Sequence, residues 1–266
     1  MTLPDPGGLV LADKPAGPSS FAMVSALRRR YGTKAGHAGT LDPRASGLLL
    51  VLLGSATRLA RYLVGLDKRY VTEIRLGVRT TTGDADGDVV ERTDVPRDLE
   101  AALRAFSGEV ELRVPAASAV KIDGERAYRL HRRGIAVEMP VRRSSVHGLS
   151  LRKVSGPEIE VELHVGSGTY VRSIADALGG HCVTLRRTAV GPFSLDDADE
   201  AAVLAPREAL PFLPEVEVDD GEASFLRSGR PIERGGEGSV RLVHDGRLVA
   251  VGRLDGGVAR PETVLP

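Results

Sequence analysis

The longest uninterrupted apolar stretch in this chain runs from Gly47 to Gly54, and its length decides where the chain can fold. Eight residues fall far short of the roughly 20 needed to cross a bilayer as a helix. No membrane-spanning segment is therefore expected. The opening MTLPDPGGLV lacks a basic stretch followed by an apolar one, so no secretory signal is expected either. Cys182 is the lone cysteine, which excludes an internal disulfide and speaks against a Cys-based zinc site. The expectation is a cytoplasmic globular protein. At 266 residues it has room for one large domain and a small one.

Net charge is zero, which at first argues against a nucleic-acid partner, but the average hides a gradient. Residues 1–60 carry seven Lys/Arg against three Asp, whereas residues 215–266 carry seven Arg against ten Asp/Glu. Opposed ends of this kind suit a basic face turned to a polyanion and other faces that are not. Composition by itself leaves RNA binding open.

Residues 7–14, GGLVLADK, read as a short buried strand entered through glycines. The turn KPAGPSS leads to a helix capped by Ser19 or Ser20, with Val24, Leu27 and Tyr31 at helical spacing. Arg28, Arg29 and Arg30 stand near its C-terminus, where the helix dipole favours cations; a solvated helix end and a phosphate contact account for them equally. Residues 36–47, GHAGTLDPRASG, form a glycine-punctuated loop carrying a single acid, Asp42, before Pro43. A helix follows over 55–68, with Leu59, Tyr62, Leu63 and Leu66 on one face, and then a strand over 69–78. Asp84, Asp86 and Asp88 invite a calcium-loop reading, but Val89 and Val95 stand where such a loop needs Gly and Glu. A polar hairpin rim is the better account.

Residues 98–110 read as an amphipathic helix ended by Gly108. The stretch 114–149 mixes a strand, a helix around Arg126–Arg133 and a further strand. It holds Lys121, Arg126, Arg129, Arg132, Arg133, Arg142 and Arg143, a density that suits phosphate contacts or Arg stems lying over apolar surface. Residues 158–180 alternate as a strand, turn at glycines and open a helix near Tyr170. Three prolines in 205–216 mark a junction. Beyond it the steps HDGR and LDGG are hairpin turns in a small β module. Domains over 1–210 and 215–266 are expected.

The segments DKPAGPSS, GHAGTLDPRASGLLLVLLGSATRL, KRYVTEIRLGVRTTTGDADG, SAVKIDGERAYRLHRRG, GSGTYVRSIADALG and LRRTAVGPF occur in the order seen in bacterial tRNA pseudouridine-55 synthases. The chain resembles that family, the TruB branch of the pseudouridine synthases, over nearly its whole length. The tail resembles the small PUA-type β domain these enzymes carry. The resemblance implies an α+β fold, with a mixed, largely antiparallel central sheet flanked by helices and a small β-barrel-like domain after it. It also implies an isomerase that flips uridine 55 out of the tRNA T arm and rejoins the uracil through C5.

In this family the Asp of GTLDP is the catalytic carboxylate, here Asp42. The Arg of GTYVR, here Arg172, stands against it, since a nearby cation keeps such an acid ionised. Tyr70 matches the tyrosine that stacks on the base and relays a proton. Tyr170 and Leu185 match positions lining the uridine pocket, and His37 one that fills the space left by extruded bases. Lys14 and Lys121 match basic positions near strand ends, where structural ion pairing explains them equally well. The isomerisation involves no redox change and no donor group, so neither cofactor nor metal is expected. The implied partner is the tRNA T arm, through Arg28–Lys34 and residues 126–143, with no membrane or protein partner and a monomeric state. Ala116 and Ala117 depart from the family, which commonly has a Pro-Pro-aromatic step there. An RNA-binding or RNA-folding protein without catalysis, or a synthase for another RNA, are the alternatives.

Overall fold

The computed structural model describes residues 6–266. They fall into two compact units, one of residues up to Val64 with Gly191–Pro266, the other Gly65–Val190.

In the first unit the GGLVLADK segment is β1 (Gly7–Lys14), followed by α1 (Ser20–Tyr31), β2 (Ala35–Ala38) and β3 (Ser46–Gly54). Strands β1 and β3 pair antiparallel without a break, from Gly7 opposite Gly54 to Lys14 opposite Gly47. Strand β2 also pairs with β3, and Asp199–Leu204 with β1. The apolar run needs no alternation because both its faces are covered: Leu48 to Leu53 are all fully buried. Leu49, Val51 and Leu53 pack with Val10 and Ala12 against Val24 and Leu27 of α1. The glycines that open β1 are sterically required. A Cβ on Gly8 would lie 2.2 Å from the Leu204 carbonyl oxygen of the neighbouring strand.

The second unit is a five-stranded antiparallel sheet in the order Gly180–Val190, β4 (Lys68–Leu76), Glu158–Val165, Val141–Ser155 and Gly108–Arg113. Strand Glu158–Val165 alternates strictly between buried and half-buried residues, as its sequence predicts. Helix Val171–Ala177 follows its glycine turn, with Tyr170 at the N-cap. The residues after Asp98 form a shorter helix than expected, Leu99–Arg104. Gly108 (φ 92°) begins a strand instead of ending that helix.

Residues 215–264 build a separate five-stranded sheet around their own core of Val218, Leu226, Val240, Leu242, Val249 and Ala259. Both expected hairpin turns are present. Asp245 and Gly246 have φ 48° and 72°, and Gly256 and Gly257 have φ 59° and 80°, the left-handed pair that matches strand twist. The expected helix over 55–68 is a 3-10 turn, Ser55–Leu59, then Ala60–Val64. Its Arg58 and Tyr62 reach the last strand, at the Val264 carbonyl (2.8 Å) and the Thr263 hydroxyl (2.9 Å).

Candidate active site

Asp42 lies in an irregular loop between β2 and β3, half-buried, and the residues on either side of it are fixed. Before it, the buried Ser20 hydroxyl donates to the Leu41 carbonyl (2.8 Å) and accepts from the Leu41 N–H (2.9 Å). After it, the Pro43 carbonyl accepts from Lys14 Nζ (3.1 Å) and from the Gly17 N–H (2.8 Å). The Ala45 N–H closes the turn on the Asp42 carbonyl (3.1 Å). Three backbone groups next to the carboxylate are therefore tied to β1, to the turn after it and to the start of α1.

The two serines of KPAGPSS divide the work. Ser19 is the N-cap, its side chain accepting from the Ala22 N–H at 3.2 Å, whereas Ser20 serves the loop. Lys14 is fully buried at the end of β1 and also donates to the Pro15 carbonyl (2.8 Å). His37, half-buried in β2, stands opposite Val51 in the register. Lys14, His37 and Asp42 thus belong to the first unit. Tyr70, Lys121, Tyr170, Arg172 and Leu185 belong to the second.

In the second unit the register groups several of the expected site residues. Tyr70 lies opposite Leu163 on one neighbouring strand and Arg187 on the other, and Leu185 lies opposite Thr72. Residues directly opposite share a face, and so do positions two apart, so Tyr70, Thr72, Leu185, Arg187 and Lys68 lie on the same side of the sheet. Tyr70 is 8% exposed and Arg187 1%. Lys68 is buried too, donating to the Leu66 carbonyl (2.5 Å) and the Ser167 hydroxyl (3.0 Å). Burial, and then the Arg187 charge, lower its pKa from 10.5 to about 8.

Arg172 sits in the first turn of helix Val171–Ala177, 3% exposed. It donates to the carbonyls of Thr82 (2.6 Å) and Ala117 (2.9 Å), and lies 3.7 Å from the Asp84 carboxylate. The polar hairpin rim is thus corrected in one respect: Asp84 is mostly buried and part of the Arg172 surround. Ala117, one of the two departures from the family pattern, contributes its main chain, which no side-chain change alters. Ala116, the other, packs with Tyr170 onto the cluster of Val114, Ala127 and Met139. Lys121 is exposed in a two-residue strand.

The places of Ser20 under the Asp42 loop, of Asp84 beside Arg172 and of Lys68 and Arg187 on the Tyr70 face were not expected from the sequence. Strand alternation was a usable signal for Lys68, two residues before Tyr70. For Ser20 there was none, since its partner is 21 residues away. Among the described residues no three His, Cys, Asp or Glu side chains cluster as a metal site requires. No helix among them is long and apolar enough to cross a membrane.

The model of the TruB family pseudouridylate synthases (N-terminal domain) matches residues 28–171. The chain is 38% identical to tRNA pseudouridine synthase B of Aromatoleum aromaticum, over 97% of this chain and 92% of that one. It is 41% identical to tRNA pseudouridine synthase B of Thermobifida fusca, over 97% and 98%. A solved Cbf5-Nop10-Gar1 complex contains a chain 27% identical, with a TM-score of 0.72, over 97% of this chain and 84% of that one, so the fold is shared. The order of the motifs, the α+β architecture and these matches agree: the chain belongs to the TruB family of pseudouridylate synthases and is an isomerase.

Proposed function

We propose that this chain converts uridine 55 in the T loop of tRNA to pseudouridine, with Asp42 as nucleophile. The observation that carries this reading is the fixed loop around Asp42. Hydrogen bonds hold both neighbours, Leu41 and Pro43, while the carboxylate residue itself stays half-exposed. A nucleophile needs this combination of a rigid backbone and an accessible side chain. The tRNA substrate is supported by relatives that carry it in their names.

In the reaction the N1–C1′ bond breaks, the uracil turns, and a C5–C1′ bond forms. The C5 proton leaves and N1 gains one, so the formula of the nucleotide is unchanged. Asp42 attacks the nucleotide and is released when the new bond closes. Arg172 supplies the cation of the site in this reading. Tyr70 stacks on the uracil and relays the C5 proton, with Tyr170, Leu185 and His37 shaping the space around it. The T-loop uridine must first be flipped out, at a cost of a few kcal/mol that backbone contacts offset. Exposed Arg28, Arg29, Lys34, Arg129, Arg132, Arg142 and Arg143 are suited to those phosphates. Residues 1–210 form the catalytic domain in this reading. The acidic β module over 215–266 is a PUA-like RNA-binding domain with a small share of the affinity. The enzyme acts as a monomer in the cytoplasm.

The test is tritium release from [5-³H]uridine-labelled T-arm RNA. The wild-type chain releases tritium, and Asp42→Asn releases none while still binding the RNA. Release by both would remove Asp42 from the chemistry. Release by neither, with binding intact, would favour a non-catalytic binder or another RNA target.

A further inference from the structure

Among the described residues Phe21 is the most exposed large hydrophobic side chain, at 72%. It stands in the first turn of α1, whose core-facing side is already supplied by Val24 and Leu27. Burial therefore does not explain a phenylalanine here, and hydration penalises it. Two further observations say what would cover it. Ser20, the residue before it, is the one that holds Leu41, so Phe21 stands at the edge of the Asp42 loop. Its surroundings in sequence are also uniformly cationic. No acid occurs between Asp13 and Asp42, a stretch that holds Lys14, Arg28, Arg29, Arg30 and Lys34.

Positions 21, 25 and 28 follow one row of the helix, at i, i+4 and i+7. Phe21 and Arg28 are exposed and Ser25 is half-buried. The row therefore presents an aromatic ring, a small polar residue and a guanidinium over about 10 Å of helix. Single-stranded RNA offers the complementary chemistry, with π-faces for stacking and phosphates for a forked cation. Arg28, Arg29, Arg30 and Lys34 of that stretch are exposed with no acid among them, which favours a polyanion over a protein partner.

We infer that the Phe21–Ser25–Arg28 row of α1 is an RNA contact beside the catalytic loop, in which Phe21 stacks on an unpaired base and Arg28 takes a neighbouring phosphate. This inference rests on the tRNA reading above. It extends the substrate contact beyond the flipped uridine to a second, unmodified base.

The test uses the full chain and an unmodified tRNA transcript, with Kd from filter binding at several salt concentrations and kinetics from tritium release. Phe21→Ala raises Kd and KM about tenfold, Phe21→Trp retains wild-type affinity, and Phe21→Leu behaves like the alanine variant. Arg28→Gln lowers the salt slope by about one. Because Phe21 is exposed, none of these changes threatens folding. Affinity of Phe21→Ala within about twofold of wild type overturns the inference, and so does full affinity in Phe21→Leu, which keeps the apolar contact without the π-face. A wild-type chain that binds tRNA without tritium release refutes the catalytic reading alone, and the Kd comparison then still decides the stack. A wild-type chain that binds no tRNA refutes both.

Discussion

Replacing Ser20 by alanine isolates the contribution of loop rigidity to the proposed active site. The hydroxyl makes two bonds to one residue, at 2.8 and 2.9 Å, and both Ser20 (2% exposed) and Leu41 (3% exposed) are shut off from water. The variant leaves the Leu41 N–H and C=O without this partner. Each buried, unsatisfied group costs about 1–3 kcal/mol, so a total loss of about 2–6 kcal/mol is expected. Ser19→Ala is the control. It removes the α1 cap, a 3.2 Å bond, and costs about 1 kcal/mol without touching the loop. Both variants should remain folded under assay conditions, since domains have about 5–15 kcal/mol to lose. Urea unfolding measures stability, and single-turnover tritium release measures chemistry. Ser20→Ala is expected to slow the chemical step about 100-fold, the effect of roughly 1 Å of misplacement at a reacting group. Ser19→Ala should leave it near wild type. If both variants lose activity only in proportion to their unfolded fraction, the clamp has no role in positioning Asp42 and the reasoning fails.

Lys68 supplies a pH test. Its folded pKa of about 8 lies below the usual 10.5, so between these values the unfolded chain binds more protons and stability rises with pH. Below pH 8 the full penalty of the buried charge is present, and it is relieved by up to about 3 kcal/mol as pH approaches 10.5. Urea midpoints of the wild type measured against Lys68→Met from pH 7 to 10.5 should show the wild type gaining on the variant, and parallel curves would refute the depressed pKa. Arg172→Lys tests the fork: one ammonium cannot reach both the Thr82 and Ala117 carbonyls as the two guanidinium nitrogens do. A loss of about 1–3 kcal/mol is expected for the carbonyl left behind. An unchanged urea midpoint would show that Arg172 does not brace the segments carrying Thr82 and Ala117.

Local chemistry made much of this molecule readable in advance. Strand β1 was legible from GGLVLADK, the helix N-terminus from Ser19 and Ser20, and the two C-terminal hairpins from their Asp-Gly steps. Each of these signals acts over a few residues, where backbone preferences and caps decide the outcome. Motif order then marked Asp42, Tyr70 and Arg172 as residues to examine. Misreadings came where tertiary contacts overrode local preference. The 55–68 helix broke into a 3-10 turn and a single short helix ending before Gly65, and Gly108 opened a strand.

What the sequence by itself determined was therefore the locally signalled elements and the family, and it named Asp42 as the candidate acid. Only the tertiary structure decided which neighbours make that acid's loop rigid and which residues share the face with Tyr70. Ser20 meets Leu41 across 21 residues of chain, and Arg172 meets Thr82 across 90. Register sets Arg187 opposite Tyr70 through a strand pairing that contains bulges. A one-residue slip would turn every such side chain to the other face. The whole fold sets that register, through burial and chain closure over long separations. A residue-by-residue reading has no access to it.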